Sequence, residues 1–370
     1  MKSLAVLLLG LWGTALLAGP TMAQEYKVGD KVVVTADASL KLSGETQIGK
    51  VSLGDVLQVK AINDKWLWVK DDQSGWLDQQ HVVPLSRAAI DQFTKLVDEN
   101  PKNPGPYIKR GNVCLNLDEI EAAIADFNEA IKLDPKSILA YNNRGAAWFS
   151  KGDYDKAIND YSEVIKLDPK EKLAYYNRGN VLLEKGEDAK AIEDYNEAIK
   201  LDPKMSQAYC NRGIAWHNQG DFDKEIEDYN EAIRLEPKLS FAYLNRGYAW
   251  HDKQEFDKAI KDLNEAIRLD PNTADGHNEL AWILATCPNA KHRDGKQAVI
   301  LATKACELTE WKDDFCVDTL SAAHAAAGDF QKAIQYLDQA IKINPETDPE
   351  AREAMRSAFK QEKPYLDKAN

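Results

Sequence analysis

The chain has 370 residues, of which 29% are charged and 44% apolar, and 47 Lys and Arg against 60 Asp and Glu give a formal net charge of −13. This composition is typical of a folded, soluble protein, and the negative charge argues against a general nucleic-acid binder, because the phosphate backbone would be repelled. The length is too great for one compact core unless the chain is built from repeats.

Residues 1–23 have the pattern of a secretory signal peptide. Lys2 gives a positive start, Leu4 to Ala18 is almost entirely apolar, and small residues precede a cleavage site that we expect after Ala23. An uncleaved anchor is the alternative, but the apolar run is shorter than the ~20 residues that a span needs. No later run is long enough to cross a membrane. We therefore expect export to the periplasm or the extracellular space, with no membrane span in the mature chain.

Residues 24–85 favour short β-strands. Runs such as KVVVT and WLWVK are rich in Val and Trp and are separated by turn residues, which predicts a small all-β barrel. The stretch resembles the bacterial SH3-like domains of exported proteins, chiefly in its strand–turn–Trp pattern ending in GWL and VVP. Wall-binding relatives use aromatic side chains for peptidoglycan peptides, so the resemblance implies a ligand face at Trp66, Trp68 and Trp76. Packing of these tryptophans in the core is the alternative.

Residues 86–103 change to a helical pattern, with Ala89, Phe93 and Val97 on one face. This segment is predicted to be a linking helix that also caps the helical region after it.

The strongest signal is a period of 34 residues, at which proline, glycine and tyrosine each recur five times. A fixed period of this length predicts a stack of helical hairpins, none of which can bury its apolar face alone. The recurring residues are Pro135, Pro169, Pro203, Pro237 and Pro271, Gly111, Gly145, Gly179, Gly213 and Gly247, and Tyr107, Tyr141, Tyr175, Tyr209 and Tyr243.

The stretch AYNNRGAAWFSKGDYDKAINDYSEVIKLDP, residues 140–169, resembles the tetratricopeptide repeat (TPR) nearly throughout. Five regular repeats cover residues 104–273, two divergent repeats cover 274–347, and residues 348–370 contain a C-terminal capping helix whose Arg352 and Arg356 we expect to face water. The resemblance implies a mostly α fold, namely a TPR α-α solenoid with a right-handed superhelix, preceded by the SH3-like barrel.

An arginine lies within the apolar stripe of each regular repeat, and an aspartate follows it sixteen residues later. In the last repeat Leu320 and Tyr336 replace both, so the two charges change together. The antiparallel helices of one hairpin would bring the two residues face to face. This predicts buried ion pairs in which the guanidinium donates two parallel hydrogen bonds to the carboxylate. Arginines that hold an anionic ligand are the alternative. The predicted pairs are Arg110–Asp126, Arg144–Asp160, Arg178–Asp194, Arg212–Asp228 and Arg246–Asp262.

An asparagine precedes the arginine in four repeats, at Asn143, Asn177, Asn211 and Asn245. In this repeat family the first helices line the concave wall, and the row is similar to the asparagine ladder of O-GlcNAc transferase. The resemblance implies binding to the backbone of an extended peptide, since an amide offers donors and an acceptor. Local bracing of each repeat is the alternative. Apolar pockets on the same wall are predicted at Tyr176, Phe241, Leu244 and Tyr248.

His217 and His251 lie one repeat apart, but further ligands are missing, so no metal site is predicted. Five cysteines are an odd number for an exported chain. Antiparallel stacking would bring Cys306 near Cys316, so a disulfide is predicted there, with buried free thiols as the alternative.

No catalytic motif occurs in the sequence, neither G-x-S-x-G nor a phosphate-binding glycine loop nor H-E-x-x-H. We therefore expect an exported, non-enzymatic scaffold that needs no cofactor and binds protein or peptide partners on its concave wall. A cell-wall targeting protein is the alternative, in which the SH3-like domain binds peptidoglycan and the repeats act as an adaptor.

Overall fold

The structure is a computed structural model that describes residues 26–34, 38–41, 47–51, 56–63, 66–70, 74–78 and 82–367. The chain divides into two compact units, residues 1–186 and residues 187–370. The predicted signal peptide, residues 1–23, lies outside the described residues.

The described part of the first unit starts with a sheet whose described strands pair antiparallel throughout. The strands are β1 (Lys31–Val34), β2 (Ala38–Lys41), β3 (Gln47–Val51), β4 (Val56–Asn63), β5 (Trp66–Lys70), β6 (Ser74–Asp78) and β7 (Val82–Pro84). Their order in the sheet is β3-β2-β6-β5-β4-β1-β7. Side chains alternate along a strand, so Val32 and Val34 join Leu57 and Leu67 in one core, whereas Val33 points the other way.

Six helices follow the sheet in the first unit. They are α1 (Arg87–Glu99), α2 (Pro104–Asn116), α3 (Ile120–Leu133), α4 (Ile138–Lys151), α5 (Tyr154–Leu167) and α6 (Lys172–Glu184). Val33 and Val83 of the sheet pack against Ala89 and Phe93, so α1 joins the sheet to the helices, as its apolar face predicts. Each helix from α2 to α6 packs on its predecessor, which makes hairpins of α2 with α3 and of α4 with α5.

Glycines set the close approach and the turns of these hairpins. A Cβ on Gly111 would lie 2.6 Å from the Phe127 ring, so the glycine lets the aromatic side chain of α3 lie against the backbone of α2. Gly152 ends α4 with φ at +82°, a left-handed conformation that favours glycine.

The second unit contains the remaining described helices. They are α7 (Asp188–Leu201), α8 (Ser206–Asn218), α9 (Phe222–Leu235), α10 (Ser240–Asp252), α11 (Phe256–Leu269), α12 (Ala274–Thr286), α13 (Gly295–Leu308), α14 (Asp314–Ala326), α15 (Phe330–Ile343) and α16 (Pro349–Lys360). A short 3-10 segment, Ala290–His292, lies in the longer loop of the divergent repeat. One continuous core cluster extends from α10 to α16.

The capping helix α16 corrects one expectation. Met355 and Phe359 are buried, as the apolar pattern predicts, but Arg352 is only 3% exposed. Its Nε donates to Asp318 Oδ2 at 2.8 Å, and its Nη2 donates to Asp314 Oδ2 at 2.7 Å. Arg352 therefore packs against α14 because two carboxylates of that helix compensate its buried charge.

Among the described residues, no helix is both long enough and apolar enough to cross a bilayer.

Candidate functional site

Four of the five predicted arginine–aspartate pairs lie within one unit, and all four are formed. In each, Nε and Nη2 of the arginine donate to the two carboxylate oxygens, at 2.5 to 2.8 Å. The arginine side chains are 17% to 20% exposed and the aspartates 6% to 8%. They are Arg110–Asp126, Arg144–Asp160, Arg212–Asp228 and Arg246–Asp262. Arg178 and Asp194 belong to different units, and their pairing stays a prediction.

Each arginine also bonds to the helix that precedes its own hairpin, a contact that sequence reasoning missed. Arg144 Nη1 donates to Asn128 Oδ1 at 2.6 Å, and Arg178 Nη1 donates to Ser162 Oγ at 2.9 Å. The same contact joins Arg110 to Thr94, Arg212 to Asn196 and Arg246 to Asn230. The polar residue recurs every 34 residues, and that periodicity could have revealed it.

A tyrosine covers the face of each guanidinium. The Arg212 carbon Cζ lies 5.4 Å from the centroid of the Tyr209 ring, and the other repeats have the equivalent contact at 5.5 to 5.9 Å. The hydrogen bonds that Arg144 donates to Asp160 raise the pKa of Arg144. Burial raises the pKa of Asp160 and Asp228, although their arginines act in the opposite sense. The arginines of the four pairs hold helices together and do not present an open anion site.

The predicted asparagine row is only partly open. Asn143 is 6% exposed and Asn177 is 7% exposed. Asn143 Nδ2 donates to Asn112 Oδ1 at 2.7 Å, a bond between successive first helices, and Asn245 Nδ2 donates to the Phe241 carbonyl oxygen at 2.8 Å. The Asn143 amide therefore joins two repeats, whereas the Asn245 amide bonds within its own helix. Asn211 and Asn245 are both partly exposed.

The predicted apolar pockets are largely filled. Leu244 is 8% exposed and belongs to the core cluster, and Tyr248 packs against the same cluster. Phe241 is partly buried against a second cluster that contains Cys210 and Tyr229. Tyr176 is also partly buried. Leu244 is not a pocket residue, because α10 and α12 contact each other directly and the side chain lies in the packed core.

Sequence reasoning missed a second set of hydrogen-bonded side chains on the first helices. His251 Nδ1 lies 2.5 Å from Glu279 Oε1, and Trp282 Nε1 donates to Asp367 Oδ2 at 2.8 Å. Glu279 follows Asn245 by 34 residues, and Trp282 follows Tyr248 by 34. Both therefore occupy wall positions, meaning the repeat positions on the first helices at which the sequence predicts the peptide-binding residues. In the sequence, the replacement of asparagine by Glu279 and of tyrosine by Trp282 at these repeat positions was the signal that could have revealed the group.

His217, whose side chain is 44% exposed, bonds to a buried glutamate. Its Nδ1 lies 3.1 Å from Oε2 of Glu225, which is 2% exposed. The hydrogen bond to Glu225 raises the pKa of His217, and burial raises the pKa of Glu225. No group of three His, Cys, Asp or Glu residues is placed to hold a metal ion in the part of the chain that the structure describes.

The predicted Cys306–Cys316 disulfide is absent, since both residues are buried free thiols. Burial is the main cause that raises the pKa of each thiol to about 12. The thiolate that reacts in disulfide formation is therefore strongly disfavoured. The side chains of Trp66, Trp68 and Trp76, the predicted peptidoglycan face, lie outside the described residues.

Comparison with family models identifies the repeats. Models described as TPR repeat match residues 111–149, 145–186 and 179–220. Models described as tetratricopeptide repeat match residues 206–239, 240–273 and 317–347. Together these matches cover more than half of the chain. No curated protein matched the sequence.

Solved structures give a similar result. The Cut9–Hcn1 heterotetramer of the APC/C is 20% identical with a TM-score of 0.53, over 65% of this chain and 46% of that one, which supports the fold. Yeast Tom70 is 20% identical with a TM-score of 0.49, over 74% of this chain and 58% of its own. YrrB, described as a TPR protein with an unusual peptide-binding site, is 24% identical with a TM-score of 0.43, over 50% of this chain and 95% of its own.

Proposed function

Since this chain belongs to the tetratricopeptide-repeat family, we propose that it is a non-enzymatic scaffold that binds partner proteins or peptides on its first helices. The observation that carries this proposal is the direct contact between successive first helices, α2 with α4 and α10 with α12. Equivalent side chains therefore recur along the first helices within each unit, and such a repeated surface is suited to an extended partner.

The bonding of the charged residues supports a scaffold over an enzyme. The arginines of the four pairs and their aspartates are engaged in bidentate pairs between helices. His217 and His251 each bond to a glutamate of the fold. Catalysis needs titratable groups that converge on a reacting atom, whereas these groups bond to one another.

A site-directed crosslinking experiment tests the scaffold function. A photoreactive amino acid replaces Tyr176, on the wall, in the full chain, and the matched control carries it at Lys166, on the second helix α5, where the side chain is 74% exposed. Crosslinked partners are identified by mass spectrometry from cell-envelope extracts. We expect a discrete set of partners from position 176 alone. Equal products from both positions, or none from position 176, would contradict binding on the first helices of the first unit.

We further propose that residues 1–23 direct export and that residues 24–85 form an SH3-like domain. The charged start, apolar run and small residues before Gln24 support the first part, and the antiparallel meander from β4 to β6 is compatible with the second. Cell fractionation with N-terminal sequencing tests export, because the mature chain is expected to begin at Gln24. An intact Met1 on cytoplasmic protein would contradict it.

A further inference from the structure

The segment after α16 lies on the first helices of the second unit. After Lys360 the chain runs as residues 361–367 without regular structure. The backbone N–H of Asp367 donates to the carbonyl oxygen of Thr286 at 2.9 Å. The Trp282 indole donates to the Asp367 carboxylate, and the Tyr365 ring lies 6.1 Å from the Trp282 ring, centroid to centroid. Residues 365–367, the tail segment, thus make one backbone and two side-chain contacts with α12.

The end of α12 explains the backbone contact. The last carbonyl groups of a helix lack partners within it, and α12 ends at Thr286, just before Cys287 and Pro288. Thr286 is 1% exposed, so its carbonyl group needs a donor from another part of the protein. An extended segment alongside the helix end supplies one through its own backbone.

The side-chain contacts select an aromatic residue and an acid. Trp282 Nε1 can only donate, and a carboxylate is the stronger acceptor. His251 Nε2 lies 3.9 Å from Asp367 Oδ2, while its Nδ1 faces Glu279 of α12. Asp252 of α10 adds negative charge near the same ring. Burial opposes protonation of His251, but these three acids outweigh it and its pKa is raised, which favours a cation facing the tail carboxylate.

The side chain of the middle residue of the tail segment is exposed to solvent. Leu366 is 41% exposed, whereas Tyr365 and Asp367 are partly buried. A peptide that makes the same contacts therefore needs an aromatic residue first, any residue second and an acidic residue third. The positions that recognise this pattern are wall positions of the repeat, as the 34-residue steps to Glu279 and Trp282 show.

We propose that His251, Trp282 and the Thr286 carbonyl form a binding site for an extended peptide with an aromatic residue two positions before an aspartate or glutamate. The chain's own Tyr365 and Asp367 fill this site until a partner peptide displaces them. The inference rests on the proposed scaffold function and names one partner class for it. A tethered segment competes at a millimolar effective concentration, so the site is closed to weak ligands.

The test uses the full chain and a fluorescent synthetic peptide, QEKPYLDKAN, with the sequence of residues 361–370. Binding is measured by fluorescence anisotropy to the unaltered chain and to a variant with Tyr365→Ala and Asp367→Ala. We expect the variant to bind the peptide at least tenfold more tightly, because its own tail segment no longer competes. Leu366→Ala is the matched control and should bind the peptide as weakly as the unaltered chain.

Two further measurements distinguish specific recognition of the peptide from nonspecific binding to newly exposed apolar surface. A peptide with alanine in place of its tyrosine and aspartate should not bind the variant with Tyr365→Ala and Asp367→Ala, called the opened variant. Adding Trp282→Ala to that variant should weaken binding of the original peptide at least tenfold, with circular dichroism to confirm folding. Should that protein not fold, the altered peptide alone decides.

Equal binding by the unaltered and opened chains, or no binding by a folded opened chain, would overturn the inference. The crosslinking from Tyr176 concerns the other unit, so its success alongside failure here would leave the scaffold function standing. Failure of both would remove the scaffold function as well.

Discussion

Arg212 and Asp228 are joined by two parallel hydrogen bonds, of 2.8 Å from Nε and 2.5 Å from Nη2. Arg212→Ala would leave a carboxylate that is 6% exposed without its cation. We expect a loss of about 3 kcal/mol or more in the free energy of unfolding, because breaking a buried pair costs far more than replacing it whole. Urea unfolding of Arg212→Ala, Asp228→Ala and the double variant measures this, and the double variant should cost less than the sum.

The same hairpin provides a control for this cycle. Arg234 pairs with Glu231 at 2.5 Å, but the side chains are 66% and 31% exposed. Such surface pairs contribute roughly 0 to 1 kcal/mol. A coupling energy for Arg212 and Asp228 no larger than that of the exposed pair would show that burial adds nothing.

The bond between hairpins predicts a second, smaller effect. Arg144 Nη1 bonds to Asn128 Oδ1, so Asn128→Ala removes a charge-assisted bond between α3 and α4. Because the bond lies at the surface, we expect a loss of about 1 kcal/mol, measured by urea unfolding and located by hydrogen exchange in α3 and α4. Asn264 holds the same repeat position but bonds to the carbonyl oxygen of Ile260 in its own helix. Asn264→Ala should cost less, and an equal cost would contradict the role given to Asn128.

The hairpins were predictable because their signals recur along the chain. Gly111 and Phe127 show the reason, since glycine is required wherever an aromatic side chain of the second helix meets the first. The arginine–aspartate spacing was equally readable, because replacement of both residues together in the last repeat indicates a contact. The asparagine row was harder to interpret. A periodic amide cannot by itself distinguish a bond to a neighbouring repeat, as Asn143 makes with Asn112, from one to a ligand.

What the sequence could not reveal depends on contacts that occur once. Arg352 appears on the charged side of an amphipathic helix, and only the docking of α16 on α14 shows that Asp314 and Asp318 surround it. The contact of Asp367 with Trp282 joins residues 85 apart with no repeat relation. Leu244 was assigned to a pocket because of its position in the repeat, but its side chain lies in the packed core.

The cysteines give a prediction that needs no variant. All five are buried, and burial raises the pKa of Cys210 to about 12 as well. Iodoacetamide at pH 8 should therefore modify the folded protein slowly, since the thiolate is the reactive form. In urea without a reductant, all five residues should become alkylated, as read by mass spectrometry. A mass that shows only three modified residues would mean that a disulfide is present.

Asp318 makes the attachment of α16 dependent on pH. Burial, opposed in part by Arg352, raises the pKa of this carboxyl to about 6, and its Oδ1 has no hydrogen-bond partner. An unfolded aspartate has a pKa of about 3.9. The folded chain thus holds this proton more tightly, and the resulting stability is fully present below about pH 4 and lost as pH rises through about 6. Asp318→Asn removes the titration, so from pH 5 to 7.5 the stability of the unaltered chain should fall by about 1 to 2 kcal/mol relative to the variant. Urea unfolding of both proteins at the two pH values measures this difference. Groups that titrate equally in the unaltered chain and in the variant do not contribute to it.

Asp338→Asn is the control, because it removes a carboxylate that is 47% exposed and bound to Arg356 of the same capping helix. If Asp338→Asn produced the same change with pH, the effect would belong to loss of any acid near α16, and not to the buried carboxyl of Asp318.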